Sequence, residues 1–153
     1  MEVFAVVVLR EELEVDVPVD EAFAFVGDFA NAQGWDPGVE SSRNVTGSPI
    51  GVGTRYDLVV TFGDRRLPMT YEVTLFDPPH RVVLQGAGST VTAVDDIRFE
   101  PTASGTRIRY TADLRLKGAA RVAEPLFRGR FHETGRRAMA GMASAFASRS
   151  EQR

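Results

Sequence analysis

Three stretches of the chain alternate large apolar and polar residues with strict period two, and this alternation constrains the fold more than any other feature. Over 54–62, Tyr56, Leu58, Val60 and Phe62 share one parity, while Arg55, Asp57 and Thr61 take the other. Over 67–75, Leu67, Met69, Tyr71, Val73 and Leu75 oppose Thr70, Glu72 and Thr74. Over 106–116, Ile108, Tyr110, Ala112, Leu114 and Leu116 oppose Arg107, Arg109, Thr111, Asp113 and Arg115. Successive side chains of a strand point to opposite faces, so each stretch predicts a strand with one apolar and one wet face. Strands of this kind belong to an antiparallel sheet covered on one side. All three tyrosines of the chain fall on the apolar side.

Further strands are predicted at about 3–17, 81–86 and 90–100, which makes six, or seven if residues 39–47 form another. Gly63-Asp64 reads as a hairpin turn, and the two prolines of "FDPPH" (76–80) exclude a central strand there. Short turns between consecutive strands make a meander. After the first strand the period changes. Pro18 ends the strand, Asp20 is placed as an N-cap, and Phe23 with Val26 has helical spacing. "FANAQGW" predicts a second short helical turn. Residues 119–149 are rich in alanine, arginine and methionine and predict a helix roughly 45 Å long. Phe127, Phe131, Gly135, Ala138, Met142 and Phe146 follow one another at steps of three or four and form one face. No linker or internal repeat interrupts the 153 residues, so one domain is expected.

Composition excludes several classes. Without cysteine there is neither a disulfide framework nor a thiolate metal site, and Asp95-Asp96 lacks the further ligands a metal needs. "GVGT" (51–54) precedes a strand rather than opening a helix, so it is no phosphate cradle. No cofactor is called for. No apolar run reaches membrane length, and the apolar start lacks a basic flank and a cleavage site, so a cytoplasmic protein without stable membrane insertion is expected. Acids crowd the first forty residues and bases crowd the last forty. We read this as an acidic first strand and a basic last helix that attract each other or face solvent, rather than as a nucleic-acid patch. An exposed edge strand leaves a homodimer open.

The interior poses a packing problem. One helix does not cover a curved six- or seven-stranded sheet, and Gly135 and Ala138 leave room at its middle. Either short elements fill the gap, with the tyrosines at the core's edge, or a cavity remains whose hydroxyls need partners. Trp35, the chain's single tryptophan, sits in "DFANAQGWDPGVESS" (28–42), which breaks at Gly34 and Pro37. A tryptophan in a loop implies a lid or rim. In 90–100, Val91, Ala93, Ile97 and Phe99 share parity with Asp95. A one-residue bulge would turn Asp96 inward instead, so one of the two acids faces in.

The order of "VPVDEAFAFVGDFANAQGW", "GVGTRY", "YEVTLFDPPHRVVLQG", "DIRFEPTASGTRIRYTADLRLKG" and a long terminal helix resembles the START-like superfamily called SRPBCC. The resemblance is to its bacterial polyketide cyclase/dehydrase and lipid-transport type. It implies a helix-grip fold of class α+β, with a curved sheet around the long helix and a deep apolar pocket between them. It also places Trp35 at the pocket mouth. The candidate ligand-binding residues are then Trp35, Tyr56, Leu58, Met69, Tyr71, Asp95, Ile97, Tyr110, Phe127 and Phe131. The expected role is binding of a small hydrophobic, lipid-like or polyketide-like molecule. A second role is that of an aromatase/cyclase or dehydratase, with Tyr56, Tyr71, Tyr110, Asp95 and His132 assisting proton transfer. A third, motivated by the basic tail, is a protein-interaction or quinone-chaperone module. His80 lies in an exposed turn and His132 on the helix flank; neither has a nucleophile beside it, and no catalytic set is singled out.

Overall fold

The computed structural model describes residues 5–118 and 124–151. Seven antiparallel strands form one sheet: β1 (Ala5–Val15), β2 (Val39–Asn44), β3 (Arg55–Phe62), β4 (Arg65–Asp77), β5 (Arg81–Ala87), β6 (Val91–Pro101) and β7 (Thr106–Leu116). They lie in the order β1-β7-β6-β5-β4-β3-β2, so β2 to β7 run as a meander and β1 closes on β7. Residues 39–47 do contribute the seventh strand, at one edge. Helix α1 (Val19–Val26) and a 3₁₀ helix, η1 (Phe29–Gly34), follow β1, and α2 (Glu124–Glu151) ends the described chain. A sheet that carries the short helices and one long helix on a single apolar face is the helix-grip arrangement. Among the described residues, no helix is long and apolar enough to cross a membrane.

The alternation in the sequence becomes the two faces of the sheet. Tyr56, Leu58, Met69, Tyr71, Val73, Leu84, Ala93, Ile97, Phe99, Ile108 and Ala112 are buried in one core with Phe23, Phe29, Trp35, Phe131, Met142 and Phe146 from the helical layer. Leu75 departs from the predicted parity. The register shifts between Val73 and Leu75, and Phe76 takes the inner position, its ring 5.5 Å from that of Phe23. One inserted residue exchanges the faces of everything beyond it, and alternation in the sequence carries no mark of it. In β6 the register is unbroken: Asp95 is buried, whereas Asp96 points outward and pairs with Arg81 at 2.9 Å.

One local expectation is corrected. Pro18, not Asp20, occupies the N-cap of α1, with no side-chain cap; Asp20 and Glu21 lie in the first turn, where carboxylates complement the helix dipole. Acids of the first strand meet arginines of the neighbouring strand. Arg107 and Arg109 of β7 pair with Glu12 at 3.3 and 3.5 Å, and Arg107 pairs with Glu14 at 2.8 Å.

Candidate ligand cavity between sheet and helix

A cavity of about 130 Å³ lies between the sheet, η1 and α2. β1 contributes Leu9 and Glu11, β3 Leu58 and Val60, β4 Tyr71, β6 Asp95, and β7 Tyr110, Ala112 and Leu114. The η1 segment and the residues after it add Phe29, Ala32, Trp35, Asp36 and Val39, and α2 adds Phe131, Thr134, Gly135, Ala138 and Met139. The small residues Gly135 and Ala138 leave room at the middle of α2.

Trp35 is a wall of this space rather than an exposed rim. It is 3% exposed and makes edge-on contacts with Tyr110 at 6.1 Å and Phe29 at 6.4 Å. The long helix crosses directly above it, since a Cβ on Gly141 would collide with the Trp35 carbonyl oxygen. Asp28 holds the segment in place by capping η1, accepting from the Ala30 amide at 3.1 Å. Tyr71 lies across Gly86 of β5; a Cβ there would stand 2.6 Å from its ring.

The polar groups are few and lie close together. Tyr110 donates a hydrogen bond to Oδ2 of Asp95. Asp95 is 6% exposed and its Oδ1 has no partner among the described residues; the same holds for the buried Nε1 of Trp35. Desolvation raises the Asp95 pKa to about 7, the Tyr110 hydrogen bond opposes the shift, and the nearby Asp36 charge adds to it. Burial raises Asp36 to about 6, against an opposing 2.8 Å bond from the Gly38 amide. Tyr71 and Tyr110 are pushed well above the usual phenol value, first by burial and then by the Asp95 charge. Near neutral pH the site therefore holds two phenol donors and a carboxyl able to exist in either form.

Among the residues expected from sequence, Trp35, Leu58, Tyr71, Asp95, Tyr110 and Phe131 meet around the cavity. Tyr56, Met69 and Ile97 do not line it. They share the inner face but are packed over by neighbouring side chains; Tyr56 is fully buried with Phe29 at 6.2 Å. Burial, followed by the nearby Asp28 charge, raises its pKa. The side chain of Phe127 lies outside the described residues. His132 is half-buried and does not line the cavity, and His80 is exposed. The sequence reading missed Glu11 and Asp36. Glu11 continues the inner parity of Val7 and Leu9 along β1, and Asp36 directly follows Trp35, so both signals were present.

The sequence profile described as polyketide cyclase/dehydrase and lipid transport matches residues 6–151. The chain belongs to that family, within the SRPBCC superfamily. Solved structures repeat its fold. TTHA0849 from Thermus thermophilus superposes with a TM-score of 0.80 at 18% identity, over 94% of this chain and 99% of that one. The ZhuI aromatase/cyclase from Streptomyces sp. R1128 gives 0.74 at 15% identity, over 97% and 95%. A START superfamily protein from Mycobacterium smegmatis gives 0.74 at 17% identity, over 95% and 97%. No curated protein matches the sequence.

Proposed function

We propose that this member of the polyketide cyclase/dehydrase and lipid transport family binds a small apolar or aromatic molecule between sheet and α2. The observation that carries this reading is the cavity itself, walled by aliphatic and aromatic side chains. Its size narrows the class. Drug-sized ligands occupy roughly 300–1,000 Å³, whereas an engineered cavity of about 150 Å³ admits benzene. A space of about 130 Å³ suits one ring, or the ring end of a longer molecule entering past the half-buried Glu11, Asp36 and Thr134. Organic extraction of the purified protein followed by mass spectrometry tests what it carries. Titration with toluene, followed by thermal unfolding, tests the place: toluene raises Tm in the wild type, and Ala138→Leu abolishes the rise. No shift in either chain overturns the reading.

A second reading is favoured by one observation, the Asp95–Tyr110 pair beside an unpartnered Oδ1. A carboxyl that titrates near neutral pH can take and return a proton, which fits a cyclase or dehydratase acting on a ring-forming chain. Asp95→Asn and Tyr110→Phe would then lower turnover while sparing binding. Turnover unchanged in both removes this role.

A further inference from the structure

We propose that Tyr71 sets the specificity of the cavity, its hydroxyl donating a hydrogen bond to a neutral acceptor (a carbonyl, ether or nitrile) on a single-ring ligand. The inference rests on the binding function proposed above. It starts from how the ring is held. Tyr71 sits on the inner face of β4, paired with Tyr56 of β3 and Gly86 of β5. Phe29 meets its ring edge-on, with centroids 5.3 Å apart. Gly86 lies so close that a Cβ there would stand 2.6 Å from Cε1. An aromatic neighbour and a strand backbone thus fix the ring, and with it the position of the hydroxyl oxygen. A donor fixed in advance loses little freedom on binding.

That hydroxyl is uncommitted. Among the described residues it has no hydrogen-bond partner, whereas the Tyr110 hydroxyl gives its proton to Asp95. Asp95 Oδ1 and Trp35 Nε1 also lack partners but are sealed beneath their neighbours. The Tyr71 hydroxyl is not sealed: the residue keeps 8% of its surface open and lines the cavity. Burial, followed by the Asp95 and Asp36 charges, holds the phenol protonated at neutral pH. A phenol can donate and accept, but its oxygen lone pair is shared with the ring, which makes it the better donor.

The acceptor must be neutral. Glu11, Asp36 and Asp95 line the same space, and no arginine, lysine or histidine among the described residues does. A carboxylate ligand would gain one donor and meet like charge on every acid that is ionised. A hydrocarbon fills the space but offers the hydroxyl no acceptor. That difference lets one hydroxyl discriminate between ligands of the same shape.

The test uses toluene, benzonitrile and benzoate, three probes of similar shape, titrated into the full chain at neutral pH. Tyr71→Phe deletes only the hydroxyl. It is expected to weaken benzonitrile binding about tenfold and to leave toluene binding unchanged or tighter. The nitrile stretch, which lies clear of protein absorption, gives a second reading. It should take its hydrogen-bonded frequency in the wild type and its apolar-solvent frequency in Tyr71→Phe. Benzoate should bind least. If Tyr71→Phe changes toluene and benzonitrile alike, or the wild-type band already stands at the apolar frequency, Tyr71 is a packing residue and the apolar site alone stands. Benzoate binding more tightly than benzonitrile would overturn the requirement for a neutral acceptor. If neither toluene nor benzonitrile binds the wild type, the binding function itself fails.

Discussion

The Tyr110 hydroxyl donates to the Asp95 carboxyl from the neighbouring strand, and that carboxyl has no cationic partner among the described residues of the cavity. Burial accordingly destabilises the ionised folded state, and the Tyr110 hydrogen bond offsets only part of that cost. Asp95 titrates at about 7 when folded, against 3.8 for the free group. Between those values the folded chain holds a proton that the unfolded chain has lost. Its contribution to stability is therefore complete below about pH 4 and disappears as pH rises through about 7, on the order of 4 kcal/mol over that window. Asp95→Asn keeps the neutral shape and abolishes the titration. Urea unfolding from pH 4 to 8 should show the wild type losing stability relative to the variant by a few kcal/mol. A constant difference would mean that Asp95 is ionised throughout.

Two glycines on α2 should respond with opposite signs. A Cβ on Gly135 would meet Leu9 Cδ1 at 3.4 Å and Glu11 Oε1 at 3.5 Å, ordinary contacts at the cavity's edge. Gly135→Ala therefore gains helix propensity and should stabilise by roughly 1 kcal/mol. A Cβ on Gly141 would strike the Trp35 carbonyl, which is backbone and has no rotamer to yield. Gly141→Ala should cost about 1–3 kcal/mol by lifting α2 from η1. Thermal unfolding of the two variants measures both signs. Equal effects would contradict the close approach at Gly141.

The strands are legible in the sequence because one face of the sheet is wet; two readings fail for local reasons. Alternation places Leu75 inward and gives no warning of the shift after Val73. A loop position suggests an exposed rim for Trp35 and says nothing of what crosses above it, here α2 at Gly141. The cavity lining is half legible. Period two places Tyr56, Tyr71 and Tyr110 on one face, but which of them borders open space is set by the helical layer above: Tyr71 and Tyr110 do, and Tyr56 does not.

The stacking of Tyr71 over Gly86 gives a coupling that can be measured. With a prospective Cβ 2.6 Å from Cε1 and 2.7 Å from Cζ, Gly86→Ala must displace a buried ring. The expected cost is about 1–3 kcal/mol. In a Tyr71→Leu background the ring is gone and the same substitution should cost far less. A double-mutant cycle from chemical denaturation should therefore give a non-zero interaction energy. Strict additivity would refute the contact.

A buried hydroxyl and an exposed charge network on the same strand should differ sharply in worth. Thr106 is fully buried and donates to the Val17 carbonyl at 2.8 Å, tying the start of β7 to the end of the first strand's extension. Thr106→Val leaves that carbonyl oxygen without its donor and should cost about 1–3 kcal/mol, with Thr106→Ser recovering part. Arg107 makes more contacts, with Glu14 at 2.8 Å, Glu12 at 3.3 Å and Glu100 at 3.9 Å, but its partners are about half exposed. Water already solvates those charges, so Arg107→Ala should cost no more than about 1 kcal/mol and less in high salt. Denaturation of both variants at low and high ionic strength decides the matter. An Arg107 effect exceeding that of Thr106 and insensitive to salt would show that the outer face, not the buried seam, holds β7 to β1.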